Sequence, residues 1–178
     1  MSTENESCEI IIIGAGIVGL AIAAYLSSMK REVIVLESEK DILQHASSHN
    51  SEVIHSGVYY PNDSLKANLC VEGNDLLYAY CKSKGVAHNK IGKLIVASHE
   101  EELDVLESLS FNGEKNGVKG LKILDQSQIK EIEPQLKSKY ALLVKSTGVV
   151  DSHEFALSLM AEIESAGNHV ITLSPVRD

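Results

Sequence analysis

The chain is poor in the residues that mark several functional classes. It has no tryptophan, two phenylalanines and three prolines in 178 residues, and its only arginines are Arg31 and Arg177. The formal net charge at neutral pH is −9. Proteins that bind nucleic acids or anionic membrane surfaces carry clustered basic residues, so the composition argues against both kinds of partner.

Cysteine is also scarce. Cys8, Cys70 and Cys81 make an odd number, and no C-x-x-C pair occurs. We therefore expect neither a disulfide framework nor a zinc site, and reduced thiols favour a cytoplasmic location. The histidines form no helical H-x-x-x-H pair with a supporting acidic cluster, so no metal site is predicted.

One apolar run, residues 10–26, has the hydrophobicity of a membrane segment. Acidic residues precede it, three glycines interrupt it, and it is shorter than the span of about 20 residues that a membrane helix needs. A basic region, which would begin a signal peptide, is missing. We therefore predict a buried strand and helix, with no transmembrane segment.

The same run carries a nucleotide-binding pattern. Four isoleucines predict a strand buried on both faces, and Gly14, Gly16 and Gly19 follow as G-x-G-x-x-G. A helix is predicted over 17–29 and a second strand over 33–36, ending on Glu37. Strand, glycine turn, helix, strand and acid at this spacing are typical of a dinucleotide-binding unit.

Each part of this pattern has a physical role. Gly14 permits a tight turn, Gly16 lets the backbone approach a pyrophosphate, and Gly19 lets the helix pack against the strand. The helix N-terminus offers free N–H groups to the phosphates. Glu37 accepts hydrogen bonds from ribose hydroxyls.

The order of elements predicts an α/β fold of the Rossmann-like, glutathione-reductase-like type with an inserted α+β portion. We assign residues 1–63 and 151–178 to the nucleotide-binding domain and residues 64–150 to the insertion. Further predicted helices cover 64–83, 100–115, 127–133 and 151–166, and further strands cover 93–97, 121–124, 140–144 and 169–173. A complete sheet of this type has more strands, so we expect an N-terminal part of a longer protein, with self-association or a C-terminal half completing it.

A long polar segment, residues 39–63, follows the second strand. It contains His45, His49 and His55, and a loop of this length is usually functional. Its position favours the carboxyl ends of the strands, where ligands bind in open α/β sheets. Hydroxyl and amide groups available for phosphates or a cofactor ring come from Ser47, Ser48, Asn50 and Ser51. The alternative is a solvated loop whose histidines bond to the backbone.

The chain resembles the L-2-hydroxyglutarate dehydrogenase/oxidase family, which belongs to the FAD-dependent oxidoreductases related to D-amino-acid oxidase. The resemblance is carried by residues 47–61, 64–70, 92–97 and 146–152, and extends over 10–175. It implies bound FAD and oxidation of an L-2-hydroxy acid, above all L-2-hydroxyglutarate, to the 2-oxo acid. Hydride would pass to the flavin, with oxygen or a quinone as electron acceptor.

The resemblance also implies roles for individual residues. The ADP part of FAD would be held by Gly14, Gly16, Gly19 and Glu37, and the pyrophosphate, ribityl chain and flavin ring would run beside Ser48, His49, Asn50 and Ser51. His49 and His55 are both candidates for the base that takes the hydroxyl proton. Tyr59 is a candidate for substrate bonding, with simple packing as the alternative.

A dicarboxylate substrate needs cations, and no arginine lies near the histidine segment in the sequence. Lys66 and Lys93 are the candidates in this chain, and the alternatives are that both lysines are simply solvated or that the missing C-terminal half supplies the cations. Two other functions stay open at this point. One is a related flavoenzyme that acts on an amino acid or on glycerol 3-phosphate, and the other is a non-catalytic nucleotide-binding fragment.

Overall fold

The structure, a computed structural model, describes residues 7–177. In chain order the elements are β1 (Ile10–Ile13), α1 (Ile17–Ser28), β2 (Val33–Leu36), β3 (Val53–Ile54), α2 (Leu65–Lys84), β4 (His88–Asn89), β5 (Lys93–Ala97), a 3₁₀ turn (Glu100–Glu102), α3 (Leu103–Lys115), β6 (Leu121–Asp125), α4 (Gln126–Ile132), β7 (Tyr140–Val144), β8 (Gly148–Val150), α5 (Ser152–Ser165) and β9 (His169–Ile171).

The chain divides into two compact units. Unit 1 comprises Met1–Ser51 and Asp151–Asp178, and unit 2 comprises Glu52–Val150. The sequence placed the first boundary after residue 63, whereas the structure places it after Ser51. The reason is that β3 pairs with β8 of unit 2, which draws residues 52–63 into the second unit.

Unit 1 is built on a parallel sheet with the strand order β1-β2-β9. Helix α1 packs against β2 and against α5. The central strand buries Val33 and Val35 completely, which places the core of the unit between β2 and the helices. Strand order and parallel pairing are those of a doubly wound nucleotide-binding fold.

Strand β1 corrects one prediction. The four isoleucines predicted a strand buried on both faces, but Ile11 and Ile13 are 55% and 70% exposed. Alternate side chains of a strand point to opposite faces. Helix α1 lies on one face of the sheet, and no residue in the described part of the chain covers these two side chains on the other.

Asn168 connects the end of α5 to the rest of unit 1. It is buried, and its Oδ1 accepts the N–H of Val33 at 3.0 Å. Its Nδ2 donates to Ser27 Oγ at 2.8 Å and to the carbonyl of Arg31 at 3.0 Å. One side chain therefore joins α1, the turn after it and β2.

Unit 2 contains two antiparallel sheets, with the strand orders β3-β8-β4 and β5-β7-β6. Helix α3 packs on the second sheet. The main core cluster consists of Val58, Ala97, Leu106, Val118, Leu142 and Val144. A smaller cluster joins α4 to the other face of the sheet through Leu124, Ile129 and Ala141.

Helix α2, the longest helix, has a well-defined start and end. Ser64 Oγ accepts the N–H of Ala67 at 3.1 Å, which caps the N-terminus. Gly85 ends the helix in the left-handed conformation, with φ of 74°. None of the helices within residues 7–177 has both the length and the hydrophobicity needed to span a bilayer.

Candidate functional site

The glycine motif has the geometry that its spacing predicts. Gly14 has a φ of +100°, a conformation that side chains disfavour, and its N–H donates to the carbonyl of Leu36 at 2.8 Å. A Cβ on Gly19 would lie 2.1 Å from the carbonyl oxygen of Gly14. Only glycine at position 19 allows α1 to approach the end of β1 this closely.

The N-terminus of α1 is open to an anion. The N-cap residue, Gly16, has no side chain that could cap the helix, and the first turn contains no acidic residue. The N–H of Ile17 donates to Ser47 Oγ at 3.1 Å, and the same oxygen lies 3.1 Å from the position of a Cβ on Gly16. The polar segment thus returns to the helix N-terminus, where free N–H groups favour a phosphate.

Glu37 lies beside the same turn. Its side chain is buried, and Oε2 accepts the N–H of Ala15 at 2.7 Å. Oε1 accepts the N–H of Glu39 at 3.0 Å and the hydroxyl of Ser38 at 3.1 Å. Burial disfavours the carboxylate, but the N–H groups of Glu39 and Ala15 and the Ser38 hydroxyl outweigh it and lower the pKa of Glu37.

These features fit the ADP part of a dinucleotide. Ser47 Oγ is the one side-chain atom within 4 Å of the Cβ position of Gly16 in the described residues, the first turn of α1 contains no carboxylate, and an ionised acid follows the second strand. Ser47 stands at the position where the phosphates would meet the helix. The sequence offers several hydroxyl groups in this segment as candidates for phosphate binding. Ser47 is distinguished from the others by its hydrogen bond to the N–H of Ile17.

The predicted flavin contacts lie in the exposed turns that follow. His49 Nδ1 is 3.0 Å from both Ser48 Oγ and the carbonyl of His45. Asn50 Nδ2 donates to the carbonyl of Ser47 at 2.8 Å, and Ser51 is exposed at the end of this part of unit 1. Ser48, His49 and Asn50 thus belong to the same unit and the same segment as the Ser47 contact.

Four other candidates come together in unit 2. We call His55, Tyr59, Lys66 and Lys93 the His55 cluster. Lys93 Nζ lies 4.3 Å from the centroid of the Tyr59 ring, and Lys66 Nζ lies 4.5 Å from that of Tyr60. Partial desolvation lowers the pKa of His55, and repulsion by Lys93 and Lys66 lowers it further. His49 belongs to the other unit, so the two candidate bases have different surroundings.

Asn74, which sequence reasoning missed, fixes the backbone of the His55 cluster. It is buried in α2, and its Nδ2 donates to the carbonyls of His55 and Ser146, each at 2.9 Å. Ala67 and Cys81 are buried one heptad before and after it. The sequence signal that could have identified Asn74 is a polar residue on an otherwise apolar face of the predicted helix.

Within residues 7–177, no group of three or more His, Cys, Asp or Glu side chains has an arrangement that could hold a metal ion. Cys8, Cys70 and Cys81 are free thiols. Burial raises the pKa of Cys70 and of Cys81.

The glycine turn, the open helix N-terminus and Glu37 define a dinucleotide-binding α/β unit. A family model described as FAD-dependent oxidoreductase matches residues 9–178. The chain belongs to this family, which confirms the predicted FAD-binding fold and FAD as the cofactor of the family.

Two curated relatives refine this result. The chain is 45% identical over 179 residues to mitochondrial L-2-hydroxyglutarate dehydrogenase of Pongo abelii, covering 99% of this chain and 43% of that protein. It is 46% identical to the Arabidopsis thaliana protein of the same name, covering 88% of this chain and 32% of that protein. The resemblance found in the sequence is confirmed, and the chain spans about two fifths of the length of such relatives.

A solved structure is similar over nearly the whole chain. It is L-alpha-glycerophosphate oxidase from Mycoplasma pneumoniae with FAD bound, with a TM-score of 0.91 and 26% identity. The similarity covers 98% of this chain and 47% of that one.

The relatives also overturn one expectation. Reduced cysteines led us to expect a cytoplasmic location, which is wrong, because the curated relatives are named mitochondrial proteins. Free thiols are compatible with any reducing compartment, so they do not distinguish the cytoplasm from the mitochondrion.

Proposed function

We propose that this chain forms the cofactor-binding unit and part of the substrate site of an enzyme that oxidises L-2-hydroxyglutarate to 2-oxoglutarate. Relatives at 45% and 46% identity are named for this substrate. The observation that carries the proposal is the His55 cluster, because it combines a proton acceptor with cations suited to an anionic substrate.

In unit 1, the residues of this chain would hold and orient the cofactor. The N-terminus of α1 and Ser47 would bind the phosphates, and Glu37 would bind the ribose. Ser48, His49, Asn50 and Ser51 would line the path toward the flavin ring. FAD, when bound, supplies the acceptor for the hydride that leaves C2 of the substrate.

In unit 2, His55 is our candidate for the base. Its lowered pKa keeps the imidazole neutral near physiological pH, so that a ring nitrogen can take the proton of the substrate hydroxyl. His49 remains the second candidate. It lies in the segment assigned to the flavin, which favours a cofactor contact over proton transfer. Tyr59, which is half-exposed and stacks with Lys93, would hydrogen-bond the substrate through its hydroxyl.

Anaerobic mixing of the flavin-loaded protein with L-2-hydroxyglutarate tests the proposal. We expect the flavin absorbance to bleach and 2-oxoglutarate to appear, whereas D-2-hydroxyglutarate leaves the absorbance unchanged. In the His55→Gln variant, bleaching should slow by about 10²- to 10⁴-fold. The His49→Gln variant is the matched comparison, and a larger effect there would move the base to His49.

A second function is oxidation of glycerol 3-phosphate. It is favoured by the similarity to the Mycoplasma pneumoniae oxidase, whose name carries that substrate. The same mixing experiment separates the two, because bleaching by glycerol 3-phosphate but not by L-2-hydroxyglutarate would replace the first function by the second.

A further inference from the structure

Two lysines of the His55 cluster carry charge that nothing in the described part of the chain neutralises. Lys66 and Lys93 each stack on a tyrosine ring, and neither ammonium group forms an ion pair or a hydrogen bond within residues 7–177. Lys119 and Lys139, by contrast, pair with Asp75 and Glu100 at 2.9 Å. Lys90 and Lys115 also stack on aromatic rings, so the feature that distinguishes Lys66 and Lys93 is their shared proximity to His55.

Neither lysine is placed to stabilise its own secondary structure by charge. Lys66 lies in the first turn of α2, where the helix dipole disfavours a cation. Lys93 is partly exposed at the start of β5, and Lys66 is exposed. Both ammonium groups are therefore accessible to an anion.

Both ammonium groups also act on the same neighbours. Each is close enough to His55 to lower the pKa of its imidazole, and each opposes the burial that raises the pKa of the Cys70 thiol. The rings on which they stack belong to consecutive residues, Tyr59 and Tyr60, so the two charges lie in one region of unit 2. The tyrosine rings beneath them restrict their motion, so less conformational entropy is lost on binding than with free lysines.

We propose that Lys66 and Lys93 form a carboxylate-binding subsite for the substrate dianion, beside the base His55. This inference rests on the proposed function for the identity of the substrate. L-2-hydroxyglutarate has two carboxylates, and a carboxylate held by an ammonium group forms a charge-assisted hydrogen bond. The two lysines would supply the positive charge that a dicarboxylate substrate needs and that no nearby arginine provides.

Glutarate tests the subsite without any chemical step, because it has both carboxylates and no hydroxyl to oxidise. Its affinity for the flavin-loaded protein is measured by calorimetry in the wild type and in Lys66→Met and Lys93→Met. Each substitution keeps the aliphatic stem and should weaken binding on the order of tenfold, with Lys93→Arg retaining most of the affinity. Lys115→Met is the control, because Lys115 stacks on Phe111 at 4.4 Å in the same way. Its affinity should stay at the wild-type value.

A second measurement separates binding from a merely structural role. The pKa of the His55 imidazole is followed by NMR with and without glutarate. A bound dianion beside His55 favours the protonated ring, so glutarate should raise this pKa in the wild type and should not raise it in the Lys66→Met/Lys93→Met double variant. Matching thermal unfolding curves for the variants establish that they are folded.

The outcomes distinguish the subsite from the proposed function. If glutarate binding depends on the two lysines but L-2-hydroxyglutarate never bleaches the flavin, the subsite stands and the proposed function fails. If L-2-hydroxyglutarate is oxidised while both lysine variants bind glutarate as the wild type does, the subsite is overturned. Tighter, lysine-dependent binding of glycerol 3-phosphate than of glutarate would overturn the assignment to a carboxylate.

Discussion

Replacement of Glu37 by alanine removes an acceptor that three groups share. The N–H of Ala15, the N–H of Glu39 and the hydroxyl of Ser38 all donate to its carboxylate, at 2.7, 3.0 and 3.1 Å. A hydrogen bond to a charged group contributes about 1.5–3 kcal/mol, and a buried donor left without a partner costs about 1–3 kcal/mol. Ala15 is fully buried, so we expect Glu37→Ala to lower the free energy of unfolding by about 2–5 kcal/mol.

The same variant should lose affinity for FAD. Loss of the proposed hydrogen bonds to the ribose costs on the order of 1–3 kcal/mol, which corresponds to a dissociation constant roughly tenfold to hundredfold larger. Urea unfolding without cofactor and fluorescence titration with FAD measure the two effects separately. Glu39→Ala is the control, because it removes a nearby partly exposed carboxylate that pairs only with His45 at 3.5 Å. Equal stability and equal FAD affinity in Glu37→Ala and the wild type would refute both roles.

The stability effect should also depend on pH. The pKa of Glu37 is lowered by folding, so its contribution is complete above the ordinary glutamate pKa of 4.5 and is lost as the pH falls through the lower folded value. The difference in unfolding free energy between the wild type and Glu37→Ala should therefore narrow below about pH 4.5. A difference that stays constant across this range would show that the carboxylate is not the stabilising group.

Three further predictions concern particular side chains. Gly19→Ala places a Cβ against a backbone carbonyl and should lower the free energy of unfolding by about 3 kcal/mol. Gly73→Ala, whose Cβ meets nothing within 4 Å, should raise the free energy of unfolding by up to about 1 kcal/mol. Urea unfolding measures both changes. Asn168→Ala leaves the N–H of buried Val33 without its partner and should cost about 2–4 kcal/mol by the same assay. The rate of flavin reduction should fall as the pH drops through the pKa of His55, and Lys93→Met should move that fall to higher pH.

Much of the nucleotide-binding unit could be predicted from the sequence, because its pattern is local. The glycine spacing, the helix it opens and the acid after the second strand are found where the sequence predicts them. The burial of β1 could not be predicted in the same way. Four isoleucines are equally compatible with one covered face or two, and the covering elements are set by tertiary structure.

The small sheet β3-β8-β4 could not be predicted either. Its strands are two or three residues long, too short for an alternating pattern, and they pair residues that are far apart in sequence. This sheet is why the boundary between the units falls before His55. The convergence of Lys66 and Lys93 on His55 has the same origin, because the three residues come from a loop, a helix and a strand.

The proposed reaction transfers the C2 hydrogen of the substrate to the flavin. Anaerobic stopped-flow reduction of the flavin by L-2-hydroxyglutarate that carries deuterium at C2 tests this transfer. If the C2 hydrogen passes to the flavin, the deuterated substrate should reduce the flavin severalfold more slowly than the ordinary one, with 2-oxoglutarate formed in equal amount. Flavin reduction at identical rates with both substrates, or none with either, would contradict it.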